Sequence, residues 1–199
     1  MAIVTLVSGG LDSSLMSLLA YEEGLELFPL FIDYGQICKE KELEACIRFH
    51  AKYGLTKPEI MILNGFGKVI SSGLTNPDLD IKEDAFLPGR NLMFLVAGSA
   101  YAYNRKAEAV AIGLLSEASS LFPDQTLDFI HVSEKTIQMA LGRNIKILAP
   151  LMQFSKKNVI DLATKKGISN TYSCHSGNDK QCGKCISCLE IENALKNEV

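Results

Sequence analysis

The sequence predicts an α/β fold, a parallel sheet of five strands with helices on both faces, followed by a small C-terminal segment of four cysteines. Three observations predict it. Short apolar runs alternate with longer amphipathic stretches along the chain, which is the pattern of βαβ units. The first run, Ala2-Ile3-Val4-Thr5-Leu6-Val7, leads straight into Ser8-Gly9-Gly10-Leu11-Asp12-Ser13-Ser14 and a helical pattern, so a strand, a tight loop and a helix start follow one another. Cys174, Cys182, Cys185 and Cys188 crowd together at spacings suited to one metal ion rather than to dispersed disulfides.

The elements follow in order. Two glycines behind the first strand let the backbone approach a ligand or take φ > 0. Ser13 and Ser14 are placed to cap the helix that turns Leu15, Leu18 and Leu19 inward, and the free N–H groups of its first turn attract an anion, naturally a phosphate chain. The loop has neither G-x-x-x-x-G-K-[ST] nor G-x-G-x-x-G spacing. Residues 27–32 read as a second buried strand ending at Asp33-Tyr34-Gly35-Gln36. Residues 39–53 read as a charged helix burying Leu43, Ile47 and Phe49, with Gly54 at its C-terminal end, and residues 59–63 as a third strand. Ligands of such sheets sit at the carboxyl ends of the strands, where the first loop and Asp33–Gln36 both lie.

Residues 64–89 are rich in Gly and Pro and carry Asp78, Asp80, Glu83 and Asp84; they read either as a solvated surface or, over 74–87, as a mobile cover on the ligand. The next helix opens with Arg90 and Asn91 and sets Leu92, Leu95, Val96 and Ser99 on one face. A cation at a helix start opposes the macrodipole unless an anion lies between, and the Arg90 fork suits phosphate oxygens. Residues 107–113 form a fourth strand whose carboxyl end leads to Ser116 and to a loop carrying Ser119, Ser120, Phe122 and Asp124. A helix over 126–142 with Ile137, Ala140 and Leu141 inward, a strand over 145–148 and a helix capped by Ser155 complete a domain of residues 1–169. That last helix points Val159, Ile160 and Ala163 inward, stops at Gly167, and again holds cations, Lys156 and Lys157, where anions are wanted.

Composition narrows the class. With 47% hydrophobic and 22% charged residues over 199 positions, the chain is long enough for a sizeable core and ordinary for a soluble domain. A formal net charge of −3 argues against a broad electrostatic grip on nucleic acid. The weakly polar run from Leu92 to Tyr103 is too short to span a bilayer, and no basic, apolar leader is visible, so no membrane is expected and the cytoplasm is the expected compartment.

Residues 170–199 form the metal segment. Cys-x-x-Cys pairs let thiolates reach one tetrahedral ion, and Cys174, Cys182, Cys185 and Cys188 close its shell. Zinc in a structural role is the expected occupant, with an iron–sulfur cluster as the alternative. His175 could replace one thiolate but, with four cysteines present, reads as a surface residue; Cys38 and Cys46 read as buried small hydrophobes rather than nucleophiles, although Cys38 is close enough to Asp33–Gln36 to face the site.

Ser8-Gly9-Gly10-Leu11-Asp12-Ser13 resembles the pyrophosphate loop of the ATP pyrophosphatases, an adenine nucleotide α-hydrolase-like, Rossmann-like fold. Together with Asp33-Tyr34-Gly35-Gln36, Leu87-Pro88-Gly89-Arg90-Asn91, Pro150-Leu151 with Lys156, and Thr171-Tyr172-Ser173-Cys174 through Cys188, it resembles the 7-cyano-7-deazaguanine (preQ0) synthase family over nearly the whole chain. The resemblance implies an ATP-dependent carbon–nitrogen ligase of queuosine biosynthesis that uses Mg²⁺ and Zn²⁺. Its substrates would be 7-carboxy-7-deazaguanine, a deazapurine acid, and ammonia, and a homodimer is implied. Ser8 to Ser14, Asp33, Tyr34, Gln36, Arg90 and Asn91 would hold ATP, with Asp12, Arg90 and Lys156 as the catalytic group. Ser116, Phe122 and Asp124 would meet the acid. The chain departs from the family pattern at Ile37-Cys38 and through Ala118–Thr126. Those departures leave open the acid, the amine and whether the reaction continues to the nitrile. The alternatives are a related adenylating ligase joining the same or another acid to a different amine, for instance on a protein, and a tRNA-modifying or RNA-binding zinc protein.

Overall fold

The computed structural model describes residues 1–116, 118 and 121–196. Its strands are β1 (Ala2–Val7), β2 (Glu26–Asp33), β3 (Glu59–Ile62), β4 (Ala109–Ala111) and β5 (Lys146–Leu148). Its helices are α1 (Leu11–Glu22), α2 (Lys39–Lys52), α3 (Gly65–Val69), α4 (Arg90–Arg105), α5 (Leu127–Leu141), α6 (Lys156–Lys165) and α7 (Ile186–Lys196). The strands pair in parallel in the order β3-β2-β1-β4-β5. The five expected strands are therefore present. β1 and β4 lie side by side although β2 and β3 intervene in the chain, so the connections leaving their carboxyl ends diverge and open a crevice there.

Both faces of the sheet are covered. Val4, Leu6, Leu30 and Ile32 point toward α4 and α5, where Leu95, Ala102, Ile130 and Ile137 meet them. Ile3, Leu27, Ala109 and Ala111 point the other way, onto Leu15 and Met16 of α1 and Val159 of α6. Burying each such aliphatic side chain contributes about 1.5–3 kcal/mol. Gly98 lets α4 lie close, because a Cβ there would come 3.0 Å from Val110 and 3.1 Å from Leu6.

Several expected burial patterns are corrected. Ile47 is exposed, and α2 buries Ala45, Cys46, Phe49 and His50 instead. Leu92 and Val96 are exposed while Asn91, Leu95, Gly98, Ser99 and Ala102 face inward, a face rotated by roughly a quarter turn from the expected one. Ala140 is exposed, and α5 is seated by Ile130, Ser133 and Ile137. Ser13 and Ser14 do not cap α1: the cap position is Gly10, and both serines are buried within the first turn. Thr126 and Ser155 do cap their helices, accepting from the amides of Phe129 and Asn158. Gly54 follows α2 with φ +66°, as expected of a terminating glycine.

The segment expected to be irregular contains α3 and then a series of turns. Leu74, Ala85 and Leu87 are buried, and the amide of Ile37 donates to the Leu74 carbonyl. The acids of this stretch shape it. Asp80 accepts from the amides of Lys82 and Glu83, and Asp84 accepts from the amide of Asp80.

Candidate active site

The crevice at the carboxyl ends of β1 and β4 is walled by Ser8, Gly10, Leu11, Asp12 and Ser13 on one side. Tyr34, Gln36, Arg90, Asn91, Phe122 and Lys156 complete most of the expected set. Gly9, Ser14, Asp33, Ser116 and Asp124 lie behind or beside the wall rather than on it.

The loop of residues 8–14 is shaped by contacts that only glycine allows at its second position. Gly9 takes φ +80°, and a Cβ there would fall 2.3 Å from the Glu42 carbonyl and 2.7 Å from the Cys46 amide, so α2 lies directly on the loop. The Gly9 carbonyl accepts from the Tyr172 amide at 2.9 Å, and beside it opens the first turn of α1, whose early amides have no partner within a helix and favour an anion. Ser13 Oγ accepts from the Ser8 amide at 3.2 Å and lies 3.1 Å from Ser8 Oγ, drawing the loop over the helix start. Gly113 backs it: a Cβ there would come 3.3 Å from the Ser13 amide.

Charge converges on this loop. Lys156 is 5% exposed, and its ammonium lies 2.9 and 2.8 Å from the two Asp12 oxygens and 3.1 Å from Glu190. Burial disfavours that charge, yet the two carboxylates outweigh it and hold the lysine above its ordinary range. The anion expected beside Lys156 is thus, in this structure, protein carboxylate. Arg90 sits 6.0 Å from the Tyr34 ring centre and 5.9 Å from that of Phe94, a cation held over aromatic faces at the start of α4. Asp33 accepts from the Gly35 amide and pairs with Lys39 at 3.6 Å, so it shapes the turn that presents Tyr34 and Gln36. Asp124 Oδ2 and its carbonyl accept from the amide and side chain of Asn91, which ties the loop after β4 to the start of α4. Ser119 and Ser120 of that loop lie outside the described residues.

Sequence reasoning missed Glu42, Tyr172, Ser173, His175 and Glu190, all of which wall the crevice. Glu42 accepts from Gln36 at 3.1 Å, and burial raises it above the usual carboxylate range. His175 is half-buried at the crevice wall rather than open on the surface. Burial, then the charges of Arg90 and Lys156, lower it to about 4, and its Nδ1 is buried without a partner among the described residues. The signal for Tyr172, Ser173 and His175 was their place beside Cys174; Glu190, two residues past Cys188, had none.

The four cysteine sulfurs lie within 4.8 Å of one another, with Cys182 and Cys188 at 4.0 Å. A tetrahedral ion with bonds of about 2.3 Å separates its sulfurs by about 3.8 Å, so the set can hold one metal ion. Burial would raise Cys174, but hydrogen bonds from Ser176 and from the Cys182 amide bring it down to about 6, toward the thiolate a metal needs. Cys38 and Cys46 are buried, and burial pushes both thiols up, Cys46 to about 12, as inert core residues. No described helix is long and apolar enough to cross a membrane.

Comparison with known proteins places this architecture. The backbone is similar to that of a predicted subunit of a tRNA methyltransferase from Methanocaldococcus jannaschii, with TM-score 0.55, 22% identity, and 99% of this chain and 87% of that one covered; this likeness concerns the fold alone. The sequence is 31% identical to the 7-cyano-7-deazaguanine synthase of Methanobrevibacter smithii, covering 97% of this chain and 92% of that protein. It is 32% identical to the enzyme of the same name from a Sulfurovum species, covering 93% and 89%. The model of the family described as queuosine biosynthesis protein QueC matches residues 2–199. The chain belongs to the QueC family of queuosine biosynthesis proteins.

Proposed function

We propose that this protein converts 7-carboxy-7-deazaguanine and ammonia to 7-cyano-7-deazaguanine with ATP, through adenylated acid and amide intermediates. The observation that carries the reading is the meeting of Asp12, Lys156 and Arg90 with the α1 N-terminus at one crevice. A carboxylate resists ammonia because it carries a full charge and has no leaving group. Attack of its oxygen on the α-phosphorus of ATP breaks the bond to the β-phosphate and expels pyrophosphate. Ammonia then displaces AMP and loses a proton, giving the amide. Adenylation of the amide oxygen by a second ATP allows AMP and the remaining N–H protons to leave as the nitrile forms. The protein supplies position and charge.

In this reading Ser8 to Ser14 hold the departing pyrophosphate by backbone amides and hydroxyls. Asp33 acts through the turn it shapes, Tyr34, Gln36 and Asn91 bound the nucleotide, and Arg90 and Lys156 offset phosphate charge. Asp12 would bind Mg²⁺, which supplies further charge neutralisation when bound. Phe122 offers its ring to the deazapurine, with Ser116 and Asp124 supporting that end of the crevice. The cysteines would hold Zn²⁺ as a closed, structural ion that clips residues 170–199 to the domain of residues 1–169. Direct nucleic-acid binding and a membrane are not part of the reading, and the compartment is the cytoplasm, where thiols stay reduced. A second copy of the chain is the expected partner. Leu92 and Val96 of α4, with Met61 and Phe66, line an open apolar groove beside the edge strand β3, which supports it.

The test is direct. Protein, ATP, Mg²⁺, ammonia and 7-carboxy-7-deazaguanine should yield AMP, pyrophosphate and a product of the nitrile's mass. ATP binding without that product would overturn the assignment of substrate.

A further inference from the structure

Lys156 is shared between three elements. It begins α6, Asp12 lies in the first turn of α1, and Glu190 belongs to α7, the helix that also carries Cys188. Its contact with both Asp12 oxygens occupies the carboxylate assigned above to a divalent cation and the ammonium assigned to a phosphate. For either group to serve the nucleotide, that pair must part. A lysine 6% exposed in its side chain is costly to leave without a counter-charge. Glu190, at 3.1 Å, is the carboxylate that can keep Lys156 paired while Asp12 turns away.

We propose that Glu190 is a positioning residue of the adenylating site: it retains Lys156 beside the phosphate loop when the cation and nucleotide engage Asp12. The helix bearing the cysteines thereby contributes a working charge, not only a clip. Two further contacts tie the same segment to the loop, the Tyr172 amide on the Gly9 carbonyl and Ser173 Oγ on the Leu11 amide at 3.4 Å. This role presupposes the nucleotide site of the proposed function.

The two ligands of the site should respond in opposite directions. Glu190→Gln leaves the cluster less negative and Lys156 bound to Asp12 alone. ATP titrated in Mg²⁺-free buffer should therefore bind more tightly, while the Mg²⁺ concentration for half-maximal activity should rise about tenfold. Glu190→Asp keeps the charge but withdraws it by one methylene, and should raise the Mg²⁺ requirement in the same sense. The zinc content of both variants should equal that of the unaltered protein. Weakening of both ligands together in Glu190→Gln, no shift in either, or a Glu190→Asp protein identical to the unaltered one would overturn the proposal. If Glu190→Gln does not fold, the Glu190→Asp titrations decide. Asp12→Asn separates the two levels. If it leaves the Mg²⁺ dependence of ATP binding intact, the nucleotide site itself is wrong; if it abolishes that dependence while the Glu190 variants stay flat, only the role of Glu190 falls.

Discussion

The two ends of the crevice are built differently. The phosphate end is made where regular elements stop and start: the end of β1, the first turns of α1, α4 and α6, and a glycine pinned by α2. The far end is made by the loop after β4, held by side chains of its own. Gln125 Oε1 accepts from the amides of Leu121 and Phe122, Asp124 holds Asn91, and Phe122 stacks on Phe86 with ring centres 5.0 Å apart. An end built on the sheet is fixed by the core and admits little change. An end built on a loop can be altered without disturbing the fold. Under the proposed function, chemistry common to many adenylating enzymes would sit on the first, and recognition of one acid on the second.

That contrast can be broken, beginning with the largest effect. Gly9→Ala forces a Cβ against backbone 2.3 Å away at φ +80°, and should reduce ATP-dependent turnover by more than about a hundredfold. Gly24, at φ +74° but with open space around it, is the control: its Ala variant should lose about 1 kcal/mol of stability in urea melts and keep its turnover. Equal losses at the two glycines would mean that strain, not the fit of the loop, decides. Arg90→Met keeps apolar contact with Tyr34 and Phe94 but removes the charge; turnover should fall about tenfold to a hundredfold at saturating acid. Phe122→Ala should raise KM for the acid about tenfold while KM for ATP stays put, and a change in both would erase the division of the crevice.

The smallest effect uses acid. His50, buried in α2 with Nδ1 donating to the Thr56 carbonyl at 2.7 Å, is kept below its ordinary value of 6.5 by burial. The unfolded chain then binds the proton more readily, so stability is full above 6.5 and falls as the pH drops below it. Because α2 seats Gly9, hydrogen exchange in α2 and the phosphate loop should quicken before exchange in α5. His50→Gln should flatten that dependence in thermal melts, and a pH response unchanged in His50→Gln would assign the effect elsewhere.

Much of the phosphate end was legible in the sequence because it depends on local rules. A strand followed by Gly-Gly, an arginine at a helix start and clustered cysteines each carry their meaning within a few residues. Burial phase was less legible. Ile47, Leu92, Val96 and Ala140 have the right composition for a core, but the sheet selected neighbouring faces, where Ala45, Asn91, Ala102 and Ile130 fit. Charges joined across the fold were not legible at all. Lys156 looked as though it awaited a phosphate, and its partners proved to be Asp12 and Glu190, far away in sequence and on different helices. His175 was misplaced for the same reason: nothing beside Cys174 shows that the segment folds back against the loop between β1 and α1.

The hydrogen bond from Tyr172 to Gly9 also sets an order in time. Gly9 is synthesised long before Tyr172, which follows only after the five described strands and the helices α1 to α6 have been made. Contacts this distant in sequence close late in folding. A chain synthesised only through α6 can pair its whole sheet and still lack the strut that ties down the loop before α1. Newly made protein should therefore acquire its sheet before its affinity for nucleotide, and a half-finished chain should spend no ATP.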